Sequence, residues 1–428
     1  MENRKHSRLL GFAMAGVAAL TLTACSGGSG TTLSATENPE DVSGTLRVLV
    51  PSFPASNEGT AAFDAIVEVF QETYPNVEVE PDFATFGNLN EKISTSIAGG
   101  QPYDVLVTGV GWIPPFASQK AFLDLGQFGV TPDTLAEEAN PAVVPAVEYN
   151  NSVYAYPLVM GPKPLALSRS AFEEAGLDPD SPPTNLNELA DAAERLTVRE
   201  ASGKITRAGF DFWAGPGEYR QDFVALLGAL GHDLYDGGQP NFDNAQGEEA
   251  LDWIGEMIND RKVVDFGQKS ASGAPLLYTK EAAMGFVGGY IDCAAVTQEV
   301  CDDLVFFNLD DEREAMFSGG QLASIGSTTR LPEAAWGFIE AMSTPEAEAS
   351  IAKLNFAVPA AADAGDSEIV QGNPASTFAY ENLDNVVFEG GAENWLDLRN
   401  VFATELDKAI LGQESSADVL AGLSEQSK

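Results

Sequence analysis

The sequence predicts an α/β protein folded as two domains. Three observations predict it. Strand and helix patterns alternate from Thr45 onward, the 428-residue chain exceeds the roughly 250–300 residues at which a single core stops growing, and a hydrophobic content of 44% suits a globular chain. In "TLRVLV" the apolar residues Leu46, Val48 and Val50 alternate, which is a strand pattern. Phe63, Ile66, Val67, Phe70 and Tyr74 then recur at helical spacing. "NVEVE" reads as a second strand. Leu89, Ile93 and Ile97 form one helical stripe, stopped by Gly99-Gly100, and "DVLVTG" reads as a short buried strand. This β-α-β-α-β order implies a parallel sheet with helices on both faces. Ligands of such sheets sit beyond the strand C-termini, so the loops at 51–58, 83–88 and 108–115 are the candidate site loops.

The second half repeats the style. Asn185 can cap a helix, with Glu188 three residues on and Leu186, Leu189, Ala193 and Leu196 as its stripe. Residues 225–230, 250–259 and 334–342 also have helical patterns, and "EAAMGFVGG" and "DLVFFNL" read as strands or strand approaches.

The N-terminus carries Arg4, Lys5 and Arg8, then a nearly unbroken apolar run from Leu9 to Leu20. That layout is a secretory signal peptide over residues 1–24, too short to span a bilayer, which needs roughly 20 apolar residues. The stretch Leu22-Thr23-Ala24-Cys25 resembles the lipobox of bacterial lipoproteins, which implies a lipid on Cys25. Residues 26–44 are rich in Gly, Ser, Thr and acid, and read as a flexible tether with an end-to-end reach of roughly 25 Å.

The chain holds 23 Lys+Arg against 64 Asp+Glu. Such an acidic surface repels nucleic acid and anionic lipid. Beyond Cys25 the only cysteines are Cys293 and Cys301. An exported chain meets oxidising conditions, so these two are expected to pair. Eight helical steps span about 12 Å, whereas a disulfide needs Cα atoms within about 7 Å, so the bonded segment cannot be one straight helix.

Catalytic patterns are sparse. Beyond the signal peptide the one histidine is His232, which supports neither a zinc site nor a catalytic triad. No serine stands in a Gly-x-Ser-x-Gly elbow, and Gly288-Gly289 and Gly319-Gly320 fall short of a phosphate loop. Carboxylates are too numerous for any pair to stand out as a glycosidase dyad. No enzyme, metal or cofactor is therefore expected.

The segment "NSVYAYPLVMGPKPLALSRSAFEEAGLDPD" resembles the stretch of family 1 extracellular solute-binding proteins of bacterial ABC importers that runs through Tyr-x-x-Pro to a helix ending in Ala-Gly-Leu. "FQETYPNVEVE", "SIAGGQPYDVLVTG", "LYTKEAAMGFVGGY", "GGQLASIGSTTRLPEAAWGFIEAMSTPEAEASIAKLNFAVPA" and "AILGQESSADVLAGL" resemble that family in the same order, covering about residues 45–425. The resemblance implies an α/β, two-lobed, periplasmic-binding-protein-like fold of type II, with lobes joined by crossing hinge strands near 155–159, 317–320 and 356–359. It places 45–157 and 319–357 in one lobe, and 158–318 and 358–428 in the other. It implies a lipid-anchored monomer outside the cell that captures a carbohydrate between its lobes and passes it to ABC permease transmembrane subunits. A polyamine, peptide or phosphorylated solute, and a surface glycoside hydrolase, are the alternatives.

A pyranose suits a flat aromatic surface with planar hydrogen-bonding groups at its edge. Trp112 follows "DVLVTG", and Trp395 lies in the last third; both match places where the resembled maltodextrin binders carry a ligand tryptophan. Trp213 and Tyr219 flank Gly215-Pro216-Gly217, a turn expected to lift them out of packing, and Tyr290 follows Gly288-Gly289. Asn88, Lys163, Arg220, Asp292 and Arg399 are the candidate polar partners. The alternative for each aromatic is core packing, which is the reading for Trp253 and Trp336 on their helical stripes. Leu167-Ser168 replaces the family's frequent Tyr-Asn.

Overall fold

The computed structural model describes residues 38–427; Cys25 and the signal sequence lie outside them. Order starts before the expected end of the tether. Residues Pro39–Asp41 form a 3₁₀ turn, and Val42 packs into the first core. The next elements are β1 (Gly44–Val50), α1 (Asn57–Thr73), β2 (Val77–Phe83), α2 (Leu89–Ala98), β3 (Val105–Gly109) and α3 (Ile113–Ser118). β1 lies between β2 and β3, parallel to both, with Leu46 opposite Val79 and Val48 opposite Val105. That is the parallel arrangement the alternating pattern implies. Ser56 starts α1 by accepting a hydrogen bond from the Gly59 amide at 3.0 Å. The α1 stripe is buried at Phe63, Ile66 and Phe70. The α2 stripe is shorter than its periodicity suggests, because Ile97, 50% exposed, falls in the last turn, beyond the sheet.

The chain then enters β4 (Tyr156–Lys163), β5 (Leu165–Ser168), α4 (Leu186–Leu196), α5 (Arg220–Ala229) and α6 (Ala245–Gly255). β6 (Met284–Phe286), β7 (Leu304–Phe307) and β8 (Glu314–Ile325) follow. α7 (Pro332–Met342), α8 (Pro345–Leu354), β9 (Val358–Pro359), α9 (Pro374–Glu381), β10 (Val386–Val387), α10 (Trp395–Ile410) and α11 (Ser416–Gln426) complete the chain. Asn185 caps α4 as its sequence suggests, accepting from the Glu188 amide at 3.0 Å. The Glu188 carboxylate reaches back one residue further than a capping box requires, to Thr184.

Two sheets organise the lobes. The larger runs β9-β4-β8-β3-β1-β2, with β10 on the first part of β8; the smaller is β6-β5-β7, antiparallel throughout. β8 pairs antiparallel with β4 over most of its length, then with β3. β4 leads directly into β5 of the smaller sheet, so β4 and β8 are the strands that cross between lobes. Each lobe has its own apolar core. Val48, Phe63, Leu106 and Phe338 belong to the first, and Leu167, Phe210, Phe223 and Phe402 to the second. Residues 358–383, assigned from the sequence to the second lobe, contribute Val358, Ile369, Val370, Ala379 and Leu383 to the first core. The reason is local: β9 pairs with β4, which holds the following chain against the first lobe's flank.

Cys293 and Cys301 are disulfide-bonded, with Cα atoms 5.8 Å apart. Two short helices, Cys293–Val296 and Gln298–Asp303, flank the break at Thr297, whose φ is +118°. The chain turns where the bond length demands it. Among the described residues no helix is long and apolar enough to cross a membrane.

Mass spectrometry after alkylation without reductant will find both cysteines blocked from labelling. The Cys293→Ser/Cys301→Ser double variant will lose roughly 2.5 kcal/mol in urea unfolding, the chain-entropy value for so short a loop.

Candidate functional site

The site is best built from the loops that meet beside the crossing strands. The loop after β3 carries Gly111 (φ +83°) and Trp112, and the loop after β10 carries Glu389 and Gly390 (φ +91°). They touch backbone to backbone. A Cβ added at Gly390 would lie 2.4 Å from the Gly111 Cα, and one added at Gly111 would lie 2.9 Å from the Glu389 carbonyl oxygen. Only glycine fits that approach, and only glycine adopts those torsions cheaply.

Directly behind this contact is a buried ion triad. Arg220, the first residue of α5, donates from Nε to Glu389 Oε2 at 2.6 Å, and Arg399 of α10 donates from Nε to Oε1 at 3.3 Å. Arg220 and Glu389 are each 6% exposed. The Arg399 guanidinium lies over the Trp112 ring, 5.9 Å from its centroid, so the triad reaches across to the first lobe. Burial pushes the Glu389 carboxyl up, but the two guanidiniums outweigh it and hold its pKa below the ordinary range.

Lys163, at the end of β4, continues the cluster. Its ammonium sits 5.1 Å from the centroid of Trp213, a half-buried ring with φ +51°. Burial lowers the Lys163 pKa, opposed by the charge of Asp222 and reinforced by Arg220. Asp222, 1% exposed, has no hydrogen-bond partner at either carboxylate oxygen, and burial raises its pKa against the pull of Lys163. Asp211 fixes the Trp213 loop. Its two oxygens accept from the Trp213 amide at 2.8 Å and the Leu276 amide at 2.6 Å. Gln321, on β8, leaves a buried Oε1 without a partner.

Five sequence candidates thus come together: Trp112, Trp213, Lys163, Arg220 and Arg399. The others do not join them. Tyr219 is a core residue. Its ring stacks on Phe266 and its hydroxyl accepts from the Gly267 amide at 2.8 Å, so the Gly-Pro-Gly turn lifts out Trp213 alone. Trp395 is fully buried, packed edge-on against Tyr235 and Phe402, and Trp112 itself is only 2% exposed. Asp292 is exposed and caps the Cys293–Val296 helix through the Ala294 and Ala295 amides. Asn88 is exposed, accepts from the Thr85 amide, and lines a separate 550 Å³ hollow with Arg47, Lys92 and Tyr103. Tyr290 is half-buried and lines a 710 Å³ cavity with Glu348, Asp363 and Asn373. Glu389 and Asp222 escaped the sequence reading because they are two acids among 64. Trp395 was the more legible case, since its spacing to Leu398, Phe402 and Leu406 is a core stripe.

Two stability effects follow. Glu389→Gln leaves two buried guanidiniums without their carboxylate and will cost about 3 kcal/mol in urea unfolding at pH 7. Because the folded pKa of Glu389 is lowered, its contribution is complete above the ordinary glutamate value of about 4.3 and fades as pH falls through the folded value. The variant will therefore lose part of the acid limb of the stability profile. Glu348 behaves oppositely. Burial raises it to about 8, against one hydrogen bond from the Ala361 amide. Its folded state favours the proton, so stability declines as pH rises from the ordinary range to that value. Glu348→Gln will match the parent at pH 5 and exceed it in unfolding midpoint at pH 9.

The fold recurs in known proteins. A solute-binding protein of an ABC transporter from Thermotoga lettingae, solved with α-D-tagatose bound, aligns with a TM-score of 0.73 at 19% identity, covering 90% of this chain and 99% of that one. UgpB from Mycobacterium tuberculosis in complex with glycerophosphocholine aligns at 0.74 and 18%, covering 90% and 98%. An ABC transporter extracellular-binding protein of Pyrococcus horikoshii is 21% identical over 237 residues, 54% of this chain and 52% of that one, so the match spans about half the length of that relative. The two-lobed architecture is that of periplasmic-binding-protein-like solute receptors. Residues 54–349 match the model of the bacterial extracellular solute-binding proteins, and the chain belongs to that family.

Proposed function

We propose that this protein is the capture component of an ABC importer: anchored outside the cell by lipid on Cys25, it closes two lobes around a mono- or oligosaccharide and presents it to the permease transmembrane subunits. The observation that carries the reading is the cluster at the crossing strands, where Trp112 and Trp213 stand beside Lys163, Arg220 and Arg399. A flat ring bordered by planar and cationic donors is what a pyranose requires: the half-buried face of Trp213 covers its C–H surface, the donors meet its oxygen rim, and the buried Trp112 lies under Arg399. Structural relatives solved with tagatose, with maltose and with mannotriose bound support the choice of a sugar. Capture needs no bond to break. The work is desolvation of the ligand and rotation about β4 and β8, a hinge closure.

Calorimetry against a carbohydrate panel will release heat with at least one member, and small-angle scattering will show a smaller radius of gyration in its presence. Trp213→Ala, which removes a half-buried ring and leaves both cores intact, will weaken that binding at least tenfold. A protein that shows neither heat nor contraction, and that cleaves oligosaccharides instead, would be the surface glycoside hydrolase.

A further inference from the structure

The triad holds more positive hydrogen-bonding capacity than the protein uses. Arg220 is buried, and a guanidinium has five N–H donors in a planar fork. Among the described residues Glu389 engages Nε alone. It likewise takes only Nε of Arg399, and neither guanidinium makes another hydrogen bond among the described residues. Lys163 forms no hydrogen bond or salt bridge among the described residues, and its one specific neighbour is the face of Trp213. Arg220 is buried while Arg399 and Lys163 are half-buried, so the idle donors sit at a partly desolvated surface where an added acceptor is bound more strongly than in open water.

The nearby acids do not fill them. Both oxygens of Asp211 are taken by backbone amides. Glu218 accepts from the Gly215 amide and pairs with Lys269. Asp222 is buried without a partner, and burial shifts it toward its neutral form. Among the described residues no carboxylate other than Glu389 hydrogen-bonds either guanidinium, and Glu389 meets only the two Nε edges, in a chain with 64 acidic and 23 basic residues. The acidic shell repels anions at long range, but salt screens it within about 8–10 Å, whereas the cluster acts at contact. The Nη fork of arginine matches two oxygens of one phosphoryl or carboxylate group, and two such forks with an ammonium form a clamp.

Resting on the carbohydrate reading above, we propose that the solute carries an anionic substituent, a phosphoryl or carboxylate group, clamped by Arg220, Arg399 and Lys163.

The test is titration calorimetry of the whole exported chain with inorganic phosphate, glucose, glucose 6-phosphate and glucuronate, in 20 mM and 300 mM NaCl. The proposal expects inorganic phosphate to bind, and each charged sugar to bind at least tenfold more tightly than glucose, with the advantage shrinking at high salt. Lys163→Gln and Arg399→Gln, checked for folding by circular dichroism, will each lower the affinity for the charged sugars at least fivefold more than any affinity for glucose, and so erase most of that advantage. Phosphate that does not bind, glucose that binds as tightly as the charged sugars, or variants that keep the full preference would overturn it. Phosphate binding lost in both variants, with no carbohydrate bound, would uphold the clamp and refute the sugar.

Discussion

The antiparallel pairing of β8 with β4 is the constraint on which the rest depends. β8 is twelve residues long; its first part carries β10, and its last part lies against β3. β4 runs beside it and continues into the second sheet. One two-stranded ribbon thus supplies both a shared wall and two of the passages between the lobes. Gly161 faces Gly319 at its centre, where side chains would otherwise stiffen the bend. The β3 loop and the β10 loop are brought into register because both strands hydrogen-bond to β8. The triad exists because that register sets Glu389 between α5 and α10.

Electrostatics then decides what the meeting point can do. A buried ion pair is weak as a source of stability, because desolvating two charges costs about what their attraction returns. Its value lies in geometry. Glu389 fixes the Nε edges of two guanidiniums, and their remaining edges are oriented before any ligand arrives. Trp112 and Trp213 add low-dielectric faces beside Arg399 and Lys163, which strengthen whatever contact those cations make. Preorganised donors lower the ordering cost of binding, which matters more to affinity than buried area does.

Much of the first lobe was legible in the sequence. β1 to β3 and their helices carry strong periodicity, and apart from Ile97 in the last turn of α2 they pack on the face that periodicity names. The second sheet was fainter, since Met284–Phe286 is three residues long and is a strand by virtue of pairing with β5. At the site, basic residues stood out because they are scarce here, and Arg220, Arg399 and Lys163 converge. Carboxylates could not stand out, and so Glu389 was invisible. Tyr219 misled because a Gly-Pro-Gly turn reports local backbone shape, not the Phe266 ring and Gly267 amide 47 and 48 residues away that hold it. Asp292 stands apart from this cluster, and one of its oxygens caps the Cys293–Val296 helix, a role that depends on the turn at that spot.

The backbone contact between Gly111 and Gly390 has a consequence for how such a receptor is tuned. A single methyl at either position would wedge the two loops apart, and Trp112 and Glu389, their neighbours in the chain, would shift with them. Affinity depends on the population of the shut form as well as on the fit inside it. Grip on a solute can therefore be tuned by a single carbon at this seam, and the pair of bare α-carbons keeps the two loops at their tightest spacing.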